Sequence, residues 1–109
     1  MITVTIYRAN EEIQGFIVEG HSGYAEEGMD IVCASVSILS YTALNSINLV
    51  AGIETEKISY DVDEETGLMS LRTLLNNDKT DVIYRCFMVG IELLLEEYSD
   101  YITLKFEEV

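Results

Sequence analysis

The chain has 109 residues, and 6 Lys+Arg against 20 Asp+Glu leave a formal net charge of −14. With 49% hydrophobic residues, seven Tyr and three Phe, it is too apolar for a disordered acidic tail, and its size suits one two-layer core, so a single domain over 1–109 is expected. Six dispersed basic residues make no phosphate-binding patch, which disfavours direct nucleic-acid binding and favours a basic protein partner.

The N-terminal segment, Met1 to Arg8, has neither the charged start nor the long apolar stretch of a secretory signal, so a cytoplasmic location is expected. Cys33 and Cys86 are then expected as thiols, and one histidine with two separated cysteines lacks the spacing of a metal site. Ile2, Val4 and Ile6 alternate with Thr3, Thr5 and Tyr7, which is the period of a half-buried strand. Arg8 to Glu12 is a polar turn, and Ile13 to Glu19 reads as the hairpin partner. The segment Gly20 to Gly28 places three glycines in nine residues, a composition for a loop that turns, moves or lets backbone approach a ligand.

Ile31 to Ile53 is an uncharged run of 23 residues, long enough to raise a membrane span. Its Ser, Thr and Asn interruptions and acidic flanks argue against one. A buried helix fits better, with Val32, Val36, Leu39, Ala43, Ile47 and Val50 as one stripe, Asp30 as N-cap and Gly52 as the stop. Lys57–Val62 and Leu68–Thr73 read as a second hairpin. Asp61, Asp63 and Glu65 at its joint match the first positions of a calcium loop, but Thr66 and Arg72 stand where Gly and Glu are required, so a solvated turn is preferred. Asp78 or Asp81 starts a second helix to about Tyr98, with Val82, Cys86, Val89 and Leu93 on one face and Ile83, Phe87, Gly90 and Leu94 beside it; Cys86 is assigned to the core. Ile102 to Phe106 is a closing strand. The expected order is ββαββαβ, an α+β two-layer fold with a mainly antiparallel sheet and two helices.

A helix's first turn stabilises a thiolate through its unpaired N–H groups and dipole, and Cys33 falls there if Asp30 is the cap. The only histidine, His21, lies twelve residues upstream in the glycine loop, which folding back over the helix start would bring to the thiol. Asp30 is as well explained by capping as by tuning the thiol, and Ser37 by a bond back onto the carbonyl of residue 33.

The string Gly20-His-Ser-Gly-Tyr-Ala-Glu-Glu-Gly-Met-Asp-Ile-Val-Cys-Ala-Ser-Val-Ser37 resembles the signature of the bacterial ribosomal-processing cysteine protease family, and length and element order agree over essentially the whole chain. The resemblance implies a cysteine endopeptidase that removes a short N-terminal extension from ribosomal large-subunit protein twenty-seven. It implies His21 and Cys33 as catalytic pair, Asp30 and Ser37 as supporting residues, and Gly20, Gly23 and Gly28 as a loop that rearranges when substrate binds. It also implies a homodimer, a basic ribosomal protein precursor as substrate, no cofactor, no metal and no membrane. Tyr24 is expected to cover the site, with a loop anchor as its simpler role. Ser22, often Ala in the motif, and Met29 depart from the commonest form and are expected not to touch the chemistry. A non-catalytic acidic module that chaperones a basic ribosomal protein is the alternative, and a thiol-based redox or transfer enzyme is a further one.

Overall fold

The computed structural model describes residues 1–26 and 28–109; Glu27 of the glycine-rich string lies outside them. Strands β1 (Ile2–Ala9) and β2 (Glu12–Glu19) form the first hairpin, turning at Asn10. Helix α1 (Ile31–Leu49) follows the glycine loop, and a 3₁₀ turn (Thr55–Lys57) leads into β3 (Ile58–Asp63) and β4 (Leu68–Thr73). Helix α2 (Asp78–Tyr98) then returns the chain to β5 (Ile102–Glu108). The expected element order stands, and the sheet runs β3-β4-β2-β1-β5. Only the β1–β5 pairing is parallel, because α2 carries the chain across the sheet before β5 begins.

Alternation decides which face is covered. Val4 and Ile6 of β1, Phe16 and Val18 of β2, Met69 and Leu71 of β4 and Ile102 of β5 are buried beneath the helices. Phe16 has no exposed surface and stacks on Phe87 of α2 with centroids 3.9 Å apart, so the sheet and helix layers meet at this pair. Where the helices cross, Gly90 lets the Leu39 side chain approach the α2 backbone; a Cβ there would stand 2.6 Å from Leu39 Cδ2.

Two sequence expectations are corrected. The buried face of α1 is Val32, Val36, Ser40, Ala43 and Ile47, while Val50, the C-cap, is exposed. Ser40 belongs inside because its hydroxyl donates back to the Val36 carbonyl at 2.7 Å, so no polar group is left unpaired. Helix α2 starts at Asp78, one of the two residues expected to begin it, and ends at Tyr98 as expected; Asn77 caps it, accepting from the amides of Lys79 and Thr80 at 2.9 Å each. Cys86 is exposed rather than in the core. The second helix has two apolar stripes, and the one that reaches the sheet runs through Thr80, Tyr84, Phe87 and Ile91, turning Val82, Cys86, Val89 and Leu93 outward. Helix α1 is long and apolar enough to cross a membrane, yet its buried face packs on the sheet and α2.

Candidate active site

Asp30 organises the start of α1. It has extended backbone, and its Oδ1 accepts from the amides of Val32 at 3.0 Å and Cys33 at 2.9 Å, the arrangement of a helix N-cap. Its other oxygen, Oδ2, accepts from the Ser22 hydroxyl and, at 3.4 Å, from the Ala25 amide. One buried carboxylate therefore joins the glycine loop to the helix. Burial pushes the Asp30 carboxyl up, but hydrogen bonds from the Ser22 hydroxyl and the Cys33 and Ala25 amides outweigh it and hold the group below its ordinary value. A depressed carboxyl contributes stability above its unfolded value, about 4, and that contribution is lost as pH falls through the folded value. Asp30→Asn is thus expected to lower the Tm at neutral pH and to converge on the parent protein below about pH 4; a deficit that ignores pH would contradict this.

Cys33 is half-buried, on the first turn of α1. Its Sγ accepts from the Ser22 amide at 3.4 Å and faces the Ser22 hydroxyl at 3.5 Å. Ser22 is itself buried, and its Oγ also accepts from the Tyr24 amide at 3.1 Å. The expectation that Ser22 stays clear of the chemistry is therefore corrected: it touches both Cys33 and Asp30.

His21 is exposed, and its Nε2 lies 3.0 Å from the Glu65 carbonyl oxygen. A carbonyl oxygen only accepts, so Nε2 carries the hydrogen, and a neutral ring keeps its lone pair on Nδ1. The structure thus brings His21 and Cys33 to one cavity but bonds the imidazole to the β3–β4 turn rather than to the thiol. That turn is the solvated one expected from sequence, held by Asp63 Oδ1 accepting the Glu65 amide at 3.0 Å.

The cavity has a volume near 530 Å³, in the range of a ligand site, and is open to one side. Asp30 and Ser37 also line it, with Asp63 and Glu64 on the far wall. Back-bonding in α1 comes from Ser35 onto Ile31 and Ser40 onto Val36, while Ser37 lines the cavity. Gly20, Gly23 and Gly28 line it from the loop. Tyr24 does not cover the thiol; its ring packs edge-on against Tyr98 and Tyr101, centroids 5.6 and 5.2 Å away, and anchors the loop to the end of α2.

Two contributors escaped the sequence reading. Glu65 acts through its carbonyl, which no side-chain pattern reveals. Gly67 has φ +70°, and a Cβ there would stand 2.3 Å from the Gly20 carbonyl oxygen and 3.2 Å from His21 Cε1. A glycine closing a turn was visible in the sequence, but its contact with a loop far back along the chain was not.

Comparison with known proteins agrees with this geometry. The profile of the family described as "Cysteine protease Prp" matches residues 1–103. The ribosomal processing cysteine protease Prp of Staphylococcus aureus is 31% identical over 98% of this chain and 100% of its own, and that of Bacillus subtilis is 29% identical over 92% of each. The crystal structure of the Staphylococcus aureus protease with a covalently linked product peptide superimposes with a TM-score of 0.85 at 30% identity, covering 98% of this chain and 100% of that one. The same protease in complex with a substrate peptide gives a TM-score of 0.81 over the same share of each chain. A sheet laid down in this order, a thiol on the first turn of α1 and a whole-chain match place the chain in the ribosomal-processing cysteine protease family, and it is a cysteine protease.

Proposed function

We propose that this protease removes the short N-terminal extension of ribosomal large-subunit protein twenty-seven during ribosome assembly in the cytoplasm, with Cys33 as nucleophile and His21 as its acid–base partner. The observation that carries the reading is the shared cavity: the only histidine and a helix-start thiol line one opening in a chain whose relative was solved with a covalently linked product peptide.

In the first step the Cys33 sulfur forms a bond to the scissile carbonyl carbon and its proton passes to His21 Nδ1. The tetrahedral oxyanion needs an N–H donor. The amides of Val32 and Cys33 are occupied by the Asp30 cap, so the Ser22 amide, already aimed at the sulfur, is the better candidate than the helix start itself. His21 then gives its proton to the departing amine as the C–N bond breaks, leaving a thioester on Cys33. Water attacks this thioester, His21 takes its proton, and the acyl product leaves as the thiol reforms. The Glu65 carbonyl supplies the orienting contact that a third side chain provides in other cysteine proteases, by keeping the hydrogen on Nε2. Productive chemistry requires His21 Nδ1 to come within reach of the sulfur with its Nε2–H kept on the Glu65 carbonyl, so the loop and the β3–β4 turn move together.

Intact mass of a peptide spanning the extension, incubated with the protein and with His21→Ala, tests the reading. Cleavage at one bond, slowed on the order of 10²- to 10⁴-fold by the substitution, is expected. Tight binding without cleavage would favour the acidic chaperone.

The homodimer is part of the same proposal. Val82, Val89 and Leu93 of α2 are 57–60% exposed, and Val82 lines a mainly apolar groove of about 310 Å³ between the helices together with Ile38 of α1. Covering such a face with a second copy removes it from water. Leu93→Glu is expected to convert a dimeric species to monomer in light scattering while the Tm stays within a few degrees; an unchanged mass would move the interface elsewhere.

A further inference from the structure

Among the described residues, Ser22 is the side chain that touches both the helix cap and the thiol. Its Oγ has a single hydrogen, and three groups surround it: the Asp30 Oδ2, the Tyr24 amide and the Cys33 Sγ. The amide can only donate and the carboxylate can only accept. The hydroxyl hydrogen is therefore committed to Asp30, and the Ser22 hydroxyl presents only lone pairs to Tyr24 and to the sulfur, while the Ser22 amide donates to that sulfur at 3.4 Å, a bond that an S–H also accepts. A sulfur facing those lone pairs at 3.5 Å is accommodated as S–H, which donates, and not as the anion, which has nothing to donate.

We propose that Ser22 is a positioning residue that holds Cys33 as a protonated, loop-covered thiol in the resting enzyme, through the chain Cys33 S–H to Ser22 Oγ and Ser22 O–H to Asp30 Oδ2. This rests on Cys33 being the nucleophile. Two further observations agree. The hydroxyl is buried, so water does not compete for its hydrogen. His21 is meanwhile bonded to Glu65 and not to the thiol, so the group that must receive the thiol proton is not yet in contact with it. The loop movement that brings His21 to the sulfur breaks the Ser22 hydroxyl's contact and removes its lone pairs from the sulfur.

Among the described residues, the charged and titratable groups lining the cavity with Cys33 are Asp30 on the helix start, His21 on the loop, Tyr41 further along α1, and Asp63 and Glu64 at the end of β3, and the Met1 ammonium donates to the His21 and Ser22 carbonyls beside it. All are retained when Ser22 alone is changed, so a difference between variants reports on the hydroxyl. The pH dependence of Cys33 alkylation by iodoacetamide, read by intact mass in a Cys86→Ser background, measures it without any peptide substrate. Ser22→Ala is expected to move the midpoint of that profile down by about half a pH unit, the effect of one hydrogen bond made only by the protonated form. Ser22→Thr, which keeps the hydroxyl, is expected to restore it.

A hydroxyl that merely anchored the loop would raise the alkylation rate by the same factor at every pH and leave the midpoint in place. An unmoved midpoint in Ser22→Ala, or a midpoint that Ser22→Thr fails to restore, overturns the proposal. Should the alanine variant not fold, Ser22→Gly removes the same hydroxyl and is read in the same way. Failure of the protease reading shows separately, as a parent protein that alkylates normally and cleaves nothing.

Discussion

Cys33→Ser is expected to reduce peptide cleavage by on the order of 10³-fold or more while leaving the Tm within a few degrees of the parent protein. The chemical ground is that a serine hydroxyl holds its proton far more tightly than a thiol, and His21, bonded among the described residues only to a backbone carbonyl, lacks the carboxylate that stabilises the imidazolium in Ser-His-Asp enzymes. The structural ground for an intact fold is local. Asp30 caps α1 through the backbone amides of Val32 and Cys33, and neither bond depends on the sulfur. Cys33 is also only partly buried, so little packing is lost. Burst-phase thioester detected by mass in the parent and absent in the variant checks the assignment of nucleophile directly. Residual turnover above a few per cent would show that the sulfur is not the attacking atom.

Gly67→Ala is expected to impair cleavage and stability together. Its left-handed φ of +70° already disfavours a side chain, and the new methyl would stand 2.3 Å from the Gly20 carbonyl oxygen and 2.9 Å from its carbon. Backbone cannot yield as a flexible side chain would, so the turn and the loop must separate. That shift moves the Glu65 carbonyl away from His21 Nε2, which sets the imidazole's position and tautomer. Misplacing a catalytic group by about 1 Å costs on the order of 10²-fold in rate, and the strained conformation costs about 1–3 kcal/mol of stability. Peptide cleavage and thermal unfolding measured on the same preparation separate the two effects. A variant with a lowered Tm and full kcat/KM would remove Glu65 from the mechanism.

The fold was largely legible because its elements are written in local periods. Alternation marked β1 and β2, the glycine-rich break marked the loop, and the residues flanking α1 marked its start at Asp30, where the capping bonds are found. The pairing of β5 with β1 was not local, since it joins Ile2 to Ile102 across the length of the chain. Cys86 shows where periodicity runs out: α2 carries two apolar stripes of similar strength, and only the position of Phe16 beneath Phe87 decides which one is buried.

The site divides in the same way. Sequence by itself singled out the proposed pair, because a thiol at a helix start and a lone histidine in a glycine loop are properties of short segments, and the motif string named the family. Tertiary structure decided what surrounds them. The Glu65 carbonyl on His21, the close approach of Gly67 to Gly20, the anchoring of Tyr24 on Tyr98 and Tyr101 and the bonds of Ser22 to Cys33 and Asp30 all join segments that only folding brings together. The physical reason is that backbone carbonyls and hydroxyls carry no pattern of their own; what they bond to is set by which loops the packed core holds face to face.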